Sequence, residues 1–206
     1  MMTGIGGQGI QLAAHLLARA ALADGREVQL FGSYGGMMRG GETEATVIVA
    51  DGPIESPPTI SRTWSAIVMH HEHAQPTCRR LRDDGVVLVN STVVGDRLDD
   101  LAPGLEASVV EVPATELAGE VGSLVAASMV MLGAYAAATG LVGLGSLVGA
   151  LPEALPSYRR QHVELNEAAL RAGHAAATPG LAPAWRDGHD GPGSQPAPAA
   201  APGAVR

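Results

Sequence analysis

Apolar positions in this chain switch between two periodicities. Helical spacing runs from Ile10 to about Ala23. Short apolar runs then follow at Glu27–Phe31 (EVQLF), Ala45–Ala50 (ATVIVA), Ser65–His70 (SAIVMH), Val86–Asn90 (VVLVN) and Val109–Val112. The Ser65–His70 and Val86–Asn90 runs are unbroken and bounded by turn residues, which predicts strands buried on both faces. Between those two, EHAQPTCRRLRDDG predicts a helix stopped by Gly85. Further helices are predicted at roughly Ala114–Ala138, around Ser146–Leu155 and over Tyr158–Ala176. Strands interleaved with helices imply βαβ units. The predicted fold is therefore α/β: a doubly wound, mainly parallel, Rossmann-like sheet over residues 1–177. From Thr178 to Arg206 Pro, Gly and Ala dominate, which predicts a disordered tail because such a segment buries too little apolar surface to offset its ordering entropy.

Composition narrows the function. The 206 residues are 46% apolar and suit one domain. Aromatics are scarce (two Trp, three Tyr, one Phe), so Val, Leu, Ala and Met must fill the core. The formal charge is -8, and all 13 basic side chains are Arg. Without a basic stripe to displace phosphate counterions, a nucleic-acid partner is not expected. A single cysteine, Cys78, excludes an internal disulfide and any Cys-ligated cluster or Cys-type zinc site. A cytoplasmic setting and no secretory signal are expected. No charge stands between Glu120 and Glu153, a length that could span a bilayer. That stretch is Gly-, Ala- and Ser-rich, is interrupted by Gly140, Gly143 and Gly145, and lacks flanking Arg or aromatic anchors. It reads as a helix buried in the core or under a partner subunit, not as a membrane span.

Two glycine-rich motifs carry the candidate chemistry. Gly4-Ile5-Gly6-Gly7-Gln8-Gly9 satisfies G-x-G-x-x-G directly ahead of a predicted helix. Its glycines permit a tight turn and close backbone approach, and the helix N-terminus favours an anion. Gly6, Gly7, Gln8 and Gly9 thus form a candidate phosphate cradle; the alternative is a turn that only permits close packing. Such a loop ordinarily follows a strand, and only three residues precede it, so additional residues upstream of Met1 are expected. The second predicted strand ends in Gly32-Ser33-Tyr34, without the carboxylate that would hold a dinucleotide ribose. The second motif follows at once: Ser33-Tyr34-Gly35-Gly36-Met37-Met38-Arg39-Gly40-Gly41. In a parallel sheet this loop shares the carboxyl edge with the first, where Arg39 could pair with a phosphate or carboxylate.

Together, GIGGQGIQLAAHLLARAA and SYGGMMRGGETEATVIV resemble the gamma subunit of 2-oxoacid:ferredoxin oxidoreductases. GSLVAASMVMLGAYAAATGL resembles that family's long helix, with Ser128 where Asn is frequent. LPEALPSYRRQHVELNEAALRAGHAA resembles its closing helix, with Asn166, Ala169 and Gly173 in pattern. The resemblance implies a multi-subunit enzyme that oxidatively decarboxylates a 2-oxoacid, of 2-oxoglutarate or pyruvate type, to an acyl-coenzyme A. It further implies that thiamine diphosphate with its Mg2+ and the iron–sulfur clusters lie on partner subunits, thiamine-binding and alpha-type, with ferredoxin as acceptor. This chain lacks both a cysteine set and a Gly-Asp-Gly…Asn pattern. Carried over, Gly6–Gly9 would face the coenzyme A diphosphate, Arg39 and Gly40 would sit near its phosphates or at a subunit joint, and Ser33 and Tyr34 would line the same cleft. Two rival readings are a non-enzymatic nucleotide- or coenzyme A-binding module and an NAD(P)-dependent reductase.

Three further features are candidates. His70-His71-Glu72-His73 could bind zinc or iron, or could simply start the following helix. Cys78 stands beside Arg79 and Arg80, which would lower its pKa. His15 and His162 read as ordinary surface or interface histidines, and RRLRDD as a solvated helix face.

Overall fold

The structure, a computed structural model, describes residues 1–34, 40–55, 60–97, 103–155 and 161–185. Six strands form one sheet: β1 (Met2–Ile5), β2 (Glu27–Tyr34), β3 (Glu42–Ala50), β4 (Thr63–Val68), β5 (Leu81–Asn90) and β6 (Ser108–Val112), in the order β2-β3-β1-β4-β5-β6. The helices are α1 (Ile10–Ala23), α2 (Ala74–Arg79), α3 (Ser91–Val94), α4 (Ala114–Val121), α5 (Ala127–Thr139), α6 (Leu144–Ala154) and α7 (Val163–Ala176).

The α/β fold and the mainly parallel sheet hold, with one strand reversed. β3 pairs antiparallel with both β1 and β2, whereas β1, β4, β5 and β6 pair parallel in turn. The consecutive strands β2 and β3 pair antiparallel, Tyr34 opposite Thr43, so the strands on either side of the second glycine motif are not related by a parallel crossover. Residues Met2–Ile5 supply the strand expected ahead of the first glycine loop.

Alternation along the central strands shows why they read as unbroken apolar runs. Ile67, Val86 and Leu88 join a large core with α1, α5 and α7, while Ala66, Val68, Val87 and Val89 join a smaller one with Ala74 and Val94. Period-two side chains thus face two different apolar layers.

The structure departs from the sequence reading in three further places. The expected helix over residues 72–85 ends at Arg79, and β5 already begins at Leu81. Its register against β4 shifts between Thr63 and Ser65. A Cβ on Gly85 would strike the Trp64 carbonyl oxygen, so this glycine serves close strand approach and not helix termination. RRLRDD is consequently no helix face; Arg82 pairs with Asp84 and Arg62 with Asp83. The expected helix Ala114–Ala138 is two helices, divided at Gly122 (φ 101°) and a 3₁₀ turn over Leu124–Ala126. Finally, the predicted tail is folded over its first part. Gly180, Ala182 and Ala184 donate to the carbonyls of Ala137, Ala138 and Thr139, the Trp185 indole donates to Leu141, and Arg26 stacks on the Trp185 ring. The remainder, residues 186–206, lies outside the described residues.

Every residue of α5 is buried. Its apolar surface is covered by α1, α4, α6, α7 and β5 of the same chain. Within the uncharged segment α5 is therefore a central helix of this domain, covered by its own chain, whereas Leu124 and Val125 of the preceding 3₁₀ turn are exposed. Among the described residues, no helix is long and apolar enough to cross a membrane.

Tyr135 of α5 shares a buried hydrogen bond of 2.9 Å with Ser65 of β4, and burial pushes its phenol up to about 12 from 10.0. The neutral phenol thus contributes stability that is complete below pH 10.0 and is lost as pH rises toward about 12. Unfolding free energy should fall by about 1 kcal/mol between pH 10 and 11 from this group. Chemical denaturation at both pH values will show a smaller drop in Tyr135→Phe; an equal drop would contradict the assignment.

Candidate functional site

β1 ends at Ile5 and the chain turns through Gly6–Gly9 into α1. The neighbouring strand β3 runs the other way, so its first residue, Glu42, stands opposite Ile5. This brings the two glycine motifs together. The Gly6 N–H donates to the Gly41 carbonyl at 2.8 Å, and the Gly40 N–H returns to the Gly6 carbonyl at 3.4 Å. Both turns occupy one rim, as the sequence required, but through an antiparallel hairpin.

The predicted cradle residues divide by role. Gln8 is structural. Its Oε1 accepts from the Ile5 N–H at 2.9 Å, its Nε2 donates to the Met69 carbonyl at 3.3 Å, and its own N–H is engaged by the Ile5 carbonyl. The Gly6 N–H is likewise committed, to the hairpin. Gly7 (φ 106°) and Gly9 (φ 77°) occupy the left-handed region and border the cleft described below. Ser33 and Tyr34 close β2 opposite Glu44 and Thr43. Gly40 (φ 75°) turns the chain back into β3. Arg39 lies outside the described residues.

A cleft of about 330 Å3 opens beside Gly7 and Gly9. It is walled by Leu12 of α1, by Ser123, Val125, Ala126, Ser128 and Met129 at the start of α5, and by Leu155, His162, Leu165 and Asn166 around the start of α7. Three helix N-terminal ends thus border one space, and none of their caps, Gly9, Ala126 and His162, makes a side-chain capping bond. At α5 the 3₁₀ turn already takes two N–H groups, Ala126 donating to the Ser123 carbonyl and Ala127 to that of Leu124; the remaining first-turn N–H groups and the positive ends of the helix dipoles can face an anion.

Two buried polar groups face the same space. Ser128 is 3% exposed and its hydroxyl has no hydrogen-bond partner among the described residues. Asn166 is 8% exposed; its amide Nδ2 donates to the His162 carbonyl at 2.7 Å. Gly9 must be glycine for Ser128 to stand there, because a Cβ would lie 2.6 Å from Ser128 Oγ. Sequence reading missed His162 as a cleft residue. The signal available was its place just ahead of a periodic helix, which could be read only once α7 is known to end at this rim.

The other candidates fare differently. Cys78 is buried, and burial pushes its thiol pKa up; adjacent arginines do not lower it. A larger cleft of about 410 Å3 opens at the opposite, amino edge of β4–β6, but Arg62 and Arg82 on its wall are already paired with Asp83 and Asp84. The histidine run leaves β4 as a 3₁₀ turn, with His70 and His71 rings stacked at 4.3 Å.

A glycine turn, three helix starts and a cleft of mixed polar and apolar lining thus meet at one sheet rim of this α/β domain. Residues 1–176 match the model of the family pyruvate ferredoxin/flavodoxin oxidoreductase, and the chain belongs to that family. It is 34% identical over 158 residues to a 2-oxoglutarate synthase subunit KorC of Methanocaldococcus jannaschii, covering 75% of this chain and 82% of that one. The keto/oxoacid ferredoxin oxidoreductase gamma subunit of Geobacter sulfurreducens superposes with a TM-score of 0.72 at 29% identity, covering 85% of this chain and 95% of that one. A 2-oxoglutarate:ferredoxin oxidoreductase of Magnetococcus marinus, solved with 2-oxoglutarate, coenzyme A and succinyl-CoA bound, shares the fold at TM-score 0.74 and 20% identity. This chain covers 30% of that longer one and 85% of itself. The resemblance read from the glycine motifs is thereby established at the level of the family and of its gamma subunits.

Proposed function

We propose that this chain is the gamma-type subunit of a cytoplasmic 2-oxoacid:ferredoxin oxidoreductase complex of the 2-oxoglutarate or pyruvate class, and that its cleft receives the anionic part of coenzyme A. One observation carries the ligand reading: the starts of α1, α5 and α7 meet at one cleft around Ser128, whose side chain makes no hydrogen bond among the described residues. Coenzyme A bears a diphosphate and a further phosphate, and backbone N–H groups at helix ends suit such oxygens. Gly7 and Gly9 let the backbone approach, Gly6, Gln8 and Gly40 hold the turn in shape, and Ser128 supplies a hydroxyl donor. Ser33 and Tyr34 end β2 beside β3, and Arg39 is proposed to meet a phosphate.

The remaining chemistry does not fit this chain. One cysteine cannot ligate a cluster, so the complex must take its iron–sulfur centres from partners. Thiamine diphosphate supplies the decarboxylation when bound, and the proposal assigns it, with Mg2+, to a partner subunit. In the assembled complex this chain would orient coenzyme A toward that centre.

Purification of the native protein should bring with it a thiamine-diphosphate subunit and a cysteine-rich partner, while the isolated chain oxidises no 2-oxoacid. In the complex, Arg39→Ala should raise the KM for coenzyme A about tenfold, the loss expected for one charge-assisted phosphate contact. Unaided turnover by the isolated chain, or tight NADH binding, would replace this reading with the reductase.

A further inference from the structure

A second cluster stands at the carboxyl edge of β4. The chain leaves Met69, whose carbonyl accepts from Gln8, and passes through His70 into a 3₁₀ turn over His71–His73. Consecutive residues are thereby wrapped around one point. One donor atom from each of His70, His71 and Glu72 lies within 4.8 Å of the other two. Glu72 Oε2 is 3.9 Å from His70 Nδ1, and Glu42 Oε1, from the first residue of β3, is 3.9 Å from His73 Nδ1.

The hydrogen bonding here is incomplete. His71 Nδ1 and His73 Nε2 are both buried without a partner. Each nitrogen of a neutral imidazole is either a donor or an acceptor, so a buried, unpartnered one leaves a need unmet. An ion that accepts a lone pair meets it at His71. His70 Nδ1 accepts from the Glu72 N–H at 3.4 Å and so caps the turn. The donor set, imidazole with carboxylate and no thiolate, is that of a late first-row divalent ion.

We propose that His70, His71 and Glu72 form a zinc-class metal site, separate from the anion cleft. Ligands on a tetrahedral zinc stand roughly 3.4 Å apart, so the observed spread closes by small rotamer changes of the exposed Glu72 and the half-buried rings. Three protein ligands leave a fourth position for water. His73 and Glu42 stand beside the site and would orient it through an outer hydrogen bond. The ion would clamp the strand end that anchors Gln8 and so stiffen the first glycine turn. This site stands whether or not the cleft binds coenzyme A.

The test uses the full chain without a histidine tag, stripped with chelator and titrated with Zn2+ by calorimetry. One ion per chain at about micromolar affinity or tighter is expected. Co2+ substitution should give visible d–d absorption, and Zn2+ should raise Tm. His71→Ala and Glu72→Gln should each weaken binding about tenfold or more. His71→Gln, which keeps the side-chain bulk, serves if the alanine variant misfolds. His15→Gln, on the exposed face of α1, should leave binding unchanged. No binding tighter than millimolar, or binding indifferent to both His71→Gln and Glu72→Gln, overturns the site.

Discussion

Gly173→Ala is expected to lower the stability of this domain by about 3 kcal/mol, and Gly133→Ala by a similar amount. The two glycines mark where α5 and α7 cross. A Cβ on Gly173 would run into the Val130 carbonyl oxygen, and one on Gly133 into that of Leu170. Both obstacles are backbone, so no side chain can swing aside; the helices themselves must separate. Helix propensity works in the other direction, favouring Ala over Gly by about 0.5–1 kcal/mol, and is outweighed. Gly145 and Gly149 of α6 are the contrast, because nothing lies within 4 Å of an added Cβ there. Alanine at either should stabilise by about 0.5–1 kcal/mol. Thermal denaturation of the four variants decides the matter: a drop of about 6–12 °C is expected for the first pair. Equal Tm values across all four would mean that the crossing is not as close as described.

The second large effect concerns Gly9→Ala. It meets two penalties, a left-handed backbone and a Cβ placed 2.6 Å from Ser128 Oγ. The left-handed conformation costs a non-glycine residue about 1–2 kcal/mol. The collision displaces the very hydroxyl proposed to meet the ligand. Coenzyme A affinity of the complex should therefore fall at least about tenfold. Gly7→Ala separates the two penalties, since its Cβ would enter open space and only the backbone is strained. Adding Ser128→Ala to Gly9→Ala should recover stability but not affinity, with a coupling of about 1 kcal/mol between the two sites. Additive stabilities would show that the Gly9–Ser128 contact is not limiting.

Much of the candidate site could be read from residue types. The paired glycine motifs identified one rim and the family, and both survive in the structure as Gly6–Gly41 and Gly40–Gly6 backbone bonds. The reason given for their meeting was incomplete. Periodicity marks a strand but carries no direction, so the reversal of β3 was invisible. Gln8 shows the same limit. Its place in the motif suggested a ligand contact, whereas its amide bridges Ile5 and Met69, two strand ends 64 residues apart in sequence. Ser128 and His162 became cleft residues only when the starts of α5 and α7 were brought to the start of α1.

The sequence by itself determined the α/β class, the strands apart from the start of β5, the two glycine motifs and the absence of any cysteine set for a cluster. Each follows from local chemistry: hydrophobic period, glycine's backbone freedom and ligand inventory. Tertiary structure alone decided the direction of β3, the complete burial of α5, the seating of residues 180–185 on it, and which helix ends share the cleft. Those depend on contacts between segments far apart along the chain, where backbone hydrogen bonding and close packing select one arrangement from many that the same local patterns allow.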